Sequence, residues 1–359
     1  MIAQAAAMAE QLGDQYLLGR VLATKTVHHY AYMQYRETVD AGLRAAELLR
    51  AAGNLWGLAD ALWPTQFALV YLGRLDEAVK IGEELEPLAT RLGHLGALMG
   101  AGRSRAAREF MLAADLSRLE EFARSDLELC RSTGMPWISN SYSMLGMAHF
   151  WQGRWQEALE NFQEAVELEL PSFFAGIDWH CLFLWKAYAG DKDAALAMLE
   201  QRRDNLPRPG QANTDGAWTM LMGAIEGLAV LAEREKAAKL YPLVLEAIDT
   251  GALTGVFSKL FQIVAGMAAA AGRQWDKAEQ HYQTALRQAH ELPMVMEQPE
   301  VRRWYARMLI DRDGPGDPST GSGRDRDKAR ELLTEAIAMY RRIGMPKHIE
   351  MAEALLSEV

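Results

Sequence analysis

The sequence predicts an all-α repeat protein, built as a solenoid of about eight helix pairs. A short motif recurs at residues 73–78, 153–158 and 190–195. It consists of a turn glycine, one to three further residues, and then an acidic or basic residue followed by Ala. Weaker or longer copies centre on Ala41, Ala123, Ala237, Ala278 and Ala329, so the copies are spaced by about 41 residues. Apolar residues downstream recur at helical spacing, and no stretch alternates with a period of two over a useful length. Self-similarity at this period is typical of helical solenoids.

Each part of the motif has a physical role. The glycine ends a helix because it adopts the left-handed conformation without steric strain. Acidic residues such as Asp76 and Glu157 favour the start of the following helix, where the helix dipole is positive. Ala78 and Ala158 are small, and we expect small residues where two helices cross closely. The motif therefore predicts a helix end, a tight turn and a helix start in each repeat.

Residues 139–171 resemble the tetratricopeptide repeat. The positions that match that consensus are Tyr142, Leu145, Gly146 and His149 in the first helix, Gly153 in the turn, Ala158, Phe162 and Ala165 in the second helix, and Pro171 one place late. The copy at 58–91 departs from it, with Gln66 and Gly82 where the family has glycine and an aromatic residue. The resemblance implies a right-handed α-α superhelix. HEAT and armadillo repeats, which have longer periods, are the competing assignment.

We expect a single solenoid over residues 1–359. Residues 1–13 resemble the second helix of a preceding pair whose first helix is missing, which suggests a piece of a longer protein. Residues 314–323, of sequence GPGDPSTGSG, predict a flexible insertion, because they lack the Lys-Ser/Thr of a phosphate loop. Residues 345–358 predict a C-terminal capping helix.

Composition and charge exclude several classes of partner and location. The net charge of −10 argues against sequence-independent nucleic-acid binding, which needs clustered cations. No polybasic run is present, which argues against binding to anionic membranes. Two cysteines, Cys130 and Cys181, suggest a reducing compartment. With no signal peptide and no apolar run long enough for a bilayer, the sequence predicts a cytoplasmic protein.

The sequence predicts no catalytic residue, no metal ligand and no cofactor. Residues Asp178, Trp179, His180 and Cys181 invite a metal or nucleophile interpretation, but neighbouring helical side chains diverge by about 100°. We interpret the segment as a helix whose Trp179 packs inward. No HExxH motif occurs, and no Ser–His–Asp set is recognisable. An enzyme is the third hypothesis for the chain, and it requires buried titratable groups that converge in a cleft.

In tetratricopeptide arrays the first helix of each pair lines the concave face. Transferring the family's inward positions to this chain gives the candidate groove residues Tyr30, Trp63, Phe67, Tyr71, Arg105, Arg108, Ser143, Met147, Trp151, His180 and Leu184. The implied lining is rich in aromatic residues and Met, with a cationic cluster at Arg103, Arg105 and Arg108. Such a lining suits an extended peptide or an amphipathic helix, with Arg for a carboxylate. A merely solvated basic helix is the alternative interpretation of that cluster.

A second resemblance concerns the whole chain. The Leu-Gly-Asp and Gly-Asn helix ends and the tail at 336–346 resemble the C-terminal tetratricopeptide regions of bacterial signalling ATPases. These are the LuxR-type ATP-binding regulators and the ATPases linked to class III nucleotide cyclases. In them the solenoid is a sensor arm, although this chain contains no GxxxxGK[ST] phosphate loop.

The resemblance implies a non-enzymatic scaffold or sensor that binds a protein or peptide segment, as a regulatory part of a bacterial signalling system. An upstream ATPase or cyclase module is then a partner, and the terminal helices are candidates for a homodimer contact. The alternative function is a small-molecule effector-sensing domain of a regulatory ATPase or transcription activator. A peptide binder predicts a long open groove, whereas a small-molecule sensor predicts one closed apolar pocket with a few convergent polar groups.

Overall fold

The computed structural model describes residues 2–257, 259–313 and 323–359. Within these residues the chain forms 19 α-helices, one short 3-10 helix (Arg203–Asn205) and no β-strand, so the predicted all-α fold is confirmed. In chain order the helices are α1 (Ile2–Leu12), α2 (Gln15–Ala31), α3 (Tyr35–Ala51), α4 (Leu55–Tyr71), α5 (Leu75–Leu92), α6 (Leu95–Ala113), α7 (Leu116–Thr133), α8 (Ile138–Trp151), α9 (Trp155–Leu168), α10 (Ile177–Tyr188), α11 (Lys192–Gln201), α12 (Asp215–Val230), α13 (Arg234–Lys239), α14 (Tyr241–Asp249), α15 (Phe261–Ala271), α16 (Trp275–Glu291), α17 (Glu297–Asp313), α18 (Gly323–Ile343) and α19 (Pro346–Leu356).

From α2 to α18 the helices follow one another as eight pairs, the number that the repeat pattern predicts. In the sixth pair two short helices, α13 and α14, stand in place of one. Pro242 has no N–H with which to continue the helical hydrogen bonds. The chain instead closes a tighter turn just before it, in which the Leu240 N–H donates to the Ala237 carbonyl oxygen at 3.1 Å.

The turn between the helices of a pair has the predicted backbone conformation. Gly153 has a φ of 78°, and the Arg154 N–H donates back to the His149 carbonyl oxygen at 2.9 Å, which closes the end of α8. In the longer copy, the left-handed position moves from Gly272 to Arg273, which has a φ of 55°. Arg273 carries a Cβ in a region that disfavours one, so this turn is the more strained of the two.

The recurring alanine is buried in all eight copies. The exposed fraction is 8% for Ala41 and at most 1% for the others, among them Ala78 and Ala158. Gly146 of α8 is a second point of close approach, because a Cβ there would lie 2.5 Å from the Phe162 ring of α9. Small residues at these positions therefore let the paired helices pack closely.

The first of two compact units consists of Met1–Glu109 together with the short segments Ala212–Asp215 and Asp249–Thr254. Its apolar core joins α1, α2, α3, α4 and α5 with the start of α6. The fully buried members of that core are Ala9, Ala45, Leu49, Ala59, Ala61, Leu62, Leu85, Ala89, Ala97 and Ala101. At the crossing of α3 and α4, Gly42 leaves room for Thr65, whose hydroxyl would lie 1.9 Å from a Cβ.

The second compact unit consists of Phe110–Gln211, Gly216–Ile248 and Gly255–Val359. Its last helix, α19, packs against α18 and also reaches α8. Pro346 lies against Gly153 in the turn after α8, and the His348 ring lies 5.8 Å from the Phe150 ring. The final helix therefore contacts both the last and one of the first repeats of this unit.

The predicted insertion at 314–323 lies outside the described residues except for Gly323, which begins α18. None of the helices in the described parts of the chain is both long enough and apolar enough to cross a membrane.

Candidate binding site

Four of the predicted groove residues form an aromatic cluster in the first unit. Trp63, Phe67 and Tyr71 follow one another at four-residue spacing on α4, so they share one face of the helix. The Tyr30 ring of α2 lies 5.5 Å from Trp63 and 5.9 Å from Phe67, and Phe67 lies 6.0 Å from Tyr71. Trp63 is half-buried, and the other three are buried. We call these four residues the aromatic cluster.

Two irregular segments of the same unit lie against the aromatic cluster. The Leu253 N–H donates to the Tyr71 carbonyl oxygen at 2.9 Å. Asp215 accepts a hydrogen bond from the Tyr35 hydroxyl at 2.8 Å, and the Tyr35 ring stacks on Tyr71 at 5.4 Å. Gly251 leaves no room for a Cβ beside the Arg36 guanidinium. Side chains and backbone of this face thus already hold polypeptide from far along the chain.

The arginines of α6 differ in their surroundings. Gly100 packs closely on Trp63, since a Cβ at position 100 would lie 3.1 Å from the Trp63 Cβ. Arg103 lies one helical turn further along the same face. Burial raises the pKa of the Tyr30 phenol, and the charge of nearby Arg103 opposes that rise. Arg105 instead pairs with Glu86 of α5 at 2.8 Å, while Arg108 lies 3.9 Å from Glu109. Arg103 is therefore the arginine whose charge acts on the aromatic cluster.

Asp215 carries a buried carboxyl group with a strongly shifted pKa. Its Oδ2 has no hydrogen-bond partner among the described residues, and burial raises its pKa to about 6 despite the Tyr35 hydrogen bond. A pKa raised by folding contributes stability that is complete below the unfolded value and is lost as the pH rises through about 6.

We therefore expect Asp215→Asn to remove a pH-dependent penalty. Relative to wild type, the variant should gain on the order of 2 kcal/mol in free energy of unfolding between pH 4 and pH 8. Urea denaturation at both pH values measures the change, with exposed Asp40→Asn as the control for loss of one charge. Parallel profiles for wild type and Asp215→Asn would contradict the assignment.

The predicted groove residues of the second unit are buried between helices. Ser143 of α8 donates to Asp178 Oδ1 of α10 at 2.7 Å. Trp151 stacks on Phe110, with ring centroids 5.0 Å apart. Met147 is 4% exposed and Leu184 is 5% exposed. A ligand that reached these side chains would have to displace the parts of the chain that cover them.

The segment from Asp178 to Cys181 also lies inside the protein. Trp179 stacks on Phe183 at 4.7 Å, and Cys181 is completely buried. The His180 ring packs on Gly223 of α12, and its Nδ1 lies 3.0 Å from the Thr219 carbonyl oxygen. Burial raises the pKa of Asp178 to about 6, and the Ser143 hydrogen bond opposes that rise. Within the described residues, no group of three or more His, Cys, Asp or Glu is placed to hold a metal ion.

A buried charged cluster forms where α12, the segment before α15, α17 and α19 of the second unit meet. Glu300 of α17 pairs with Arg303 at 2.9 Å and with Lys259 at 3.1 Å. Lys259 also contacts Glu226 of α12 at 2.9 Å, and His348 of α19 lies 3.8 Å from Glu300. Burial alone would raise the pKa of Glu300, but Arg303 and Lys259 hold that pKa well below its usual value. These five residues are called the charged cluster below.

Two tyrosines complete the hydrogen bonding of the charged cluster. Arg303 donates to the hydroxyl groups of Tyr188 and Tyr340, each at 3.1 Å. The Tyr188 hydroxyl donates to Glu226 at 2.6 Å, and the Tyr340 hydroxyl donates to Glu300. Burial lowers the pKa of His348 to about 3, so this side chain is neutral at physiological pH. The cluster therefore balances carboxylates against cations at buried positions.

Sequence analysis did not identify this cluster, although a signal was present. Glu226 interrupts an apolar run on α12, and Glu300 and Arg303 stand among Val301, Trp304 and Tyr305 on α17. Charged residues at helix positions that are otherwise apolar indicate buried pairing, because an unpaired buried charge is very costly. What the sequence could not supply was the partner from outside both helices, Lys259.

A cavity of about 270 Å³ lies beside the charged cluster in the second unit. Its walls come from the ends of α12 and α15 and from α16, α17 and α19. Met267, Met308 and Met351 supply apolar surface, while Arg303 and Arg307 supply polar surface. This volume is just below the roughly 300 Å³ at which pockets for drug-sized ligands begin.

The pair α8 and α9 has the strongest sequence pattern and a matching packing. Ala158, Phe162 and Ala165 of α9 are completely buried, and the Phe162 ring occupies the space left by Gly146 of α8. Residues 139–170 match the family model for the tetratricopeptide repeat. This chain carries a tetratricopeptide repeat. The search of curated proteins found no match to the sequence.

Three solved structures align with most of this chain. The structure of a Rap protein in complex with Competence and Sporulation Factor aligns with a TM-score of 0.50 and 11% identity, over 94% of this chain and 96% of that one. Yeast Tom70 aligns with a TM-score of 0.43 and 16% identity, over 89% of this chain, which spans 60% of the Tom70 chain. The P58(IPK) TPR domain aligns with a TM-score of 0.25 and 13% identity, over 99% of this chain and 97% of that domain.

The predicted groove residues lie on the first helices of their pairs. Trp63, Phe67 and Tyr71 lie on the first helix of one pair, and Ser143 and Met147 lie on the first helix of another. The fold is of a scaffold type that is common among protein interaction modules.

Proposed function

We propose that the chain is a non-enzymatic scaffold that binds a protein or peptide segment on the aromatic cluster of its first unit. The observation that carries the proposal is the pair of irregular segments on that face. Backbone of this chain already forms the hydrogen bond from Leu253 to Tyr71, and a side-chain carboxylate, Asp215, already meets Tyr35. A face that holds its own irregular segments has the chemistry to hold a partner's.

The exposed side of the aromatic cluster supports the same proposal. Half-buried Trp63 offers apolar area, and Arg103 and Arg105 offer donors for a carboxylate. Tryptophan and arginine are the residue types that most often dominate binding energy at interfaces. The Rap protein, whose fold is similar over nearly its whole length, is complexed with Competence and Sporulation Factor.

Selection from a random peptide library, followed by calorimetry, tests this function. We expect enriched peptides that contain a carboxylate and large apolar residues. Trp63→Ala and the double variant Arg105→Glu with Arg108→Glu should each weaken binding at least about tenfold, since residues that dominate an interface cost 2 kcal/mol or more when truncated.

Arg103→Glu separates the two parts of the cationic cluster. Because Arg103 acts on Tyr30 and Arg105 pairs with Glu86, the single substitution should weaken binding at least as much as the double one. Arg341→Glu on exposed α18 is the charge-matched control. Failure to enrich any peptide, or full affinity in all three groove variants, would reject the site.

A second candidate function is the sensing of a small molecule, and the cavity of the second unit favours it. The cavity has the apolar walls and the few convergent polar groups that such a site requires. The charged cluster also brings buried titratable groups together, as an enzyme would need. Its oppositely charged groups form ion pairs at 2.9–3.1 Å, and this pairing explains their burial without a catalytic role.

The wider role is also a proposal. The tail at 336–346 supports a regulatory arm of a bacterial signalling system in the cytoplasm, beside an ATPase or cyclase module. Exposed Met8 and Leu12 on α1, with 61% and 72% of their surface accessible, support a homodimer contact through terminal helices. Two buried cysteine thiols agree with a reducing compartment.

A further inference from the structure

We infer that the cavity of the second unit binds a small monocarboxylate with an apolar body. This inference depends on the second unit alone and stands whether or not the first unit binds a peptide. It rests on three features of the cavity: hydrogen-bond donors, the balance of charge around it, and apolar walls of adaptable side chains.

The first feature is a set of hydrogen-bond donors at the cavity. Arg307 uses one N–H for Asp311, at 3.3 Å, and has no other acceptor in the described part of the chain. Its side chain is 41% exposed, so its remaining N–H groups are accessible to the carboxylate of a ligand, and hydrogen bonds to charged groups are stronger than neutral ones.

The second feature is the balance of charge around the cavity. Arg303 is 5% exposed and forms an ion pair with Glu300. Asp311 is shared between Arg307 and Arg234, which lies 3.2 Å away, and Glu358 is exposed at the rim. Asp311 is the carboxylate that both guanidinium groups contact. A guanidinium fork matches a carboxylate, and a dianionic phosphate would add a second negative charge beside Asp311 and Glu358.

The third feature is the nature of the walls. Met267 and Met308 are nearly completely buried, and Met351 lines the opposite side from α19. Methionine side chains adapt to the shape of an apolar guest. Ala270 and Ala271 of α15 keep the space open, because larger residues at these positions would fill it. The geometry suits a carboxylate at the arginine end and an aliphatic or aromatic tail among the methionines.

A ligand in this cavity would also hold α19 in place. Met351 and Leu355 of α19 face the same cavity as Trp304 and Met308 of α17. A tail packed between these two helices adds contacts that exist only when α19 is docked. Ligand binding should therefore slow hydrogen exchange of the α19 amides, which is a measurement independent of affinity.

Calorimetry of the full chain with octanoate and with 4-phenylbutanoate tests the inference and distinguishes an aliphatic from an aromatic tail. We expect saturable binding of at least one of them, and affinity at least about tenfold weaker for 1-octanol and octylamine, since hydrogen bonds to charged groups contribute more than neutral ones. The same carboxylate should slow exchange of the amides of α19.

Three variants make the test specific. Arg307→Gln should weaken carboxylate binding at least about tenfold. Ala270→Leu should abolish it by filling the cavity, with circular dichroism to confirm folding. Arg203→Gln, at a 72% exposed side chain that pairs with Glu200, is the matched control and should bind as wild type does.

Three results would overturn the inference. One is the absence of saturable binding for both carboxylates, and another is equal affinity for octanoate and octanol. The third is unchanged carboxylate affinity in both Arg307→Gln and Ala270→Leu.

Discussion

Glu300→Gln should lower the free energy of unfolding of this protein by about 3–5 kcal/mol, the typical cost of removing one partner from a buried ion pair. Glu300 is 2% exposed and forms ion pairs with two cations, Arg303 and Lys259. Glutamine keeps the shape of the side chain but removes the charge, so the two buried cations would lose the carboxylate that they share. Urea denaturation followed by far-ultraviolet circular dichroism measures the loss.

Glu335→Gln provides the control for this prediction. Glu335 is 45% exposed and pairs with Arg302 at 2.6 Å on the surface of the same unit. The same chemical change there should cost no more than about 1 kcal/mol, because water screens surface ion pairs. Equal losses in the two variants would mean that the charged cluster contributes no more to stability than a surface pair does.

Phe162→Ala is the second substitution with a large expected effect. The ring is completely buried on α9 and fills the space that Gly146 leaves on α8. Removing it should cost about 3–5 kcal/mol, from lost apolar burial and from the cavity that follows. Chemical denaturation measures this cost.

Leu168→Ala at the end of the same helix is the control, since Leu168 is 38% exposed. We expect its effect to stay within about 0.5 kcal/mol, as for most surface substitutions. A small loss for Phe162→Ala would mean that the pair α8 and α9 does not depend on the close packing that defines its repeat.

The turn and the helix crossing of each repeat were predictable because both depend on residues near one another in sequence. Gly153 ends α8 through its own backbone conformation, and Ala158 is small because α8 and α9, joined by that turn, must cross there. Even the longer copy was visible in the sequence, although only the structure moved the left-handed position to Arg273.

The surroundings of the predicted groove residues were not predictable. Helical spacing correctly placed Trp63, Phe67 and Tyr71 on one face, but it gave no information on what covers that face. The covering segments contribute Asp215, which contacts Tyr35, and Leu253, which contacts Tyr71, each across about 180 positions of sequence. For the arginines, only the structure distinguished Arg103, beside the aromatic cluster, from Arg105, which pairs with Glu86.

By itself, the sequence determined the helices, their pairing and the spacing of the repeats, because short-range packing and backbone conformation specify them. The tertiary structure alone decided which charges are buried together and where a cavity stays open. Glu226, Lys259, Glu300 and His348 meet because α19 and the segment before α15 come to the same place as α12 and α17. No local pattern encodes such a meeting, since each residue's neighbours along the chain are satisfied by many arrangements. The repeat motif thus specified the scaffold, and contacts between residues far apart in the sequence specified its candidate sites.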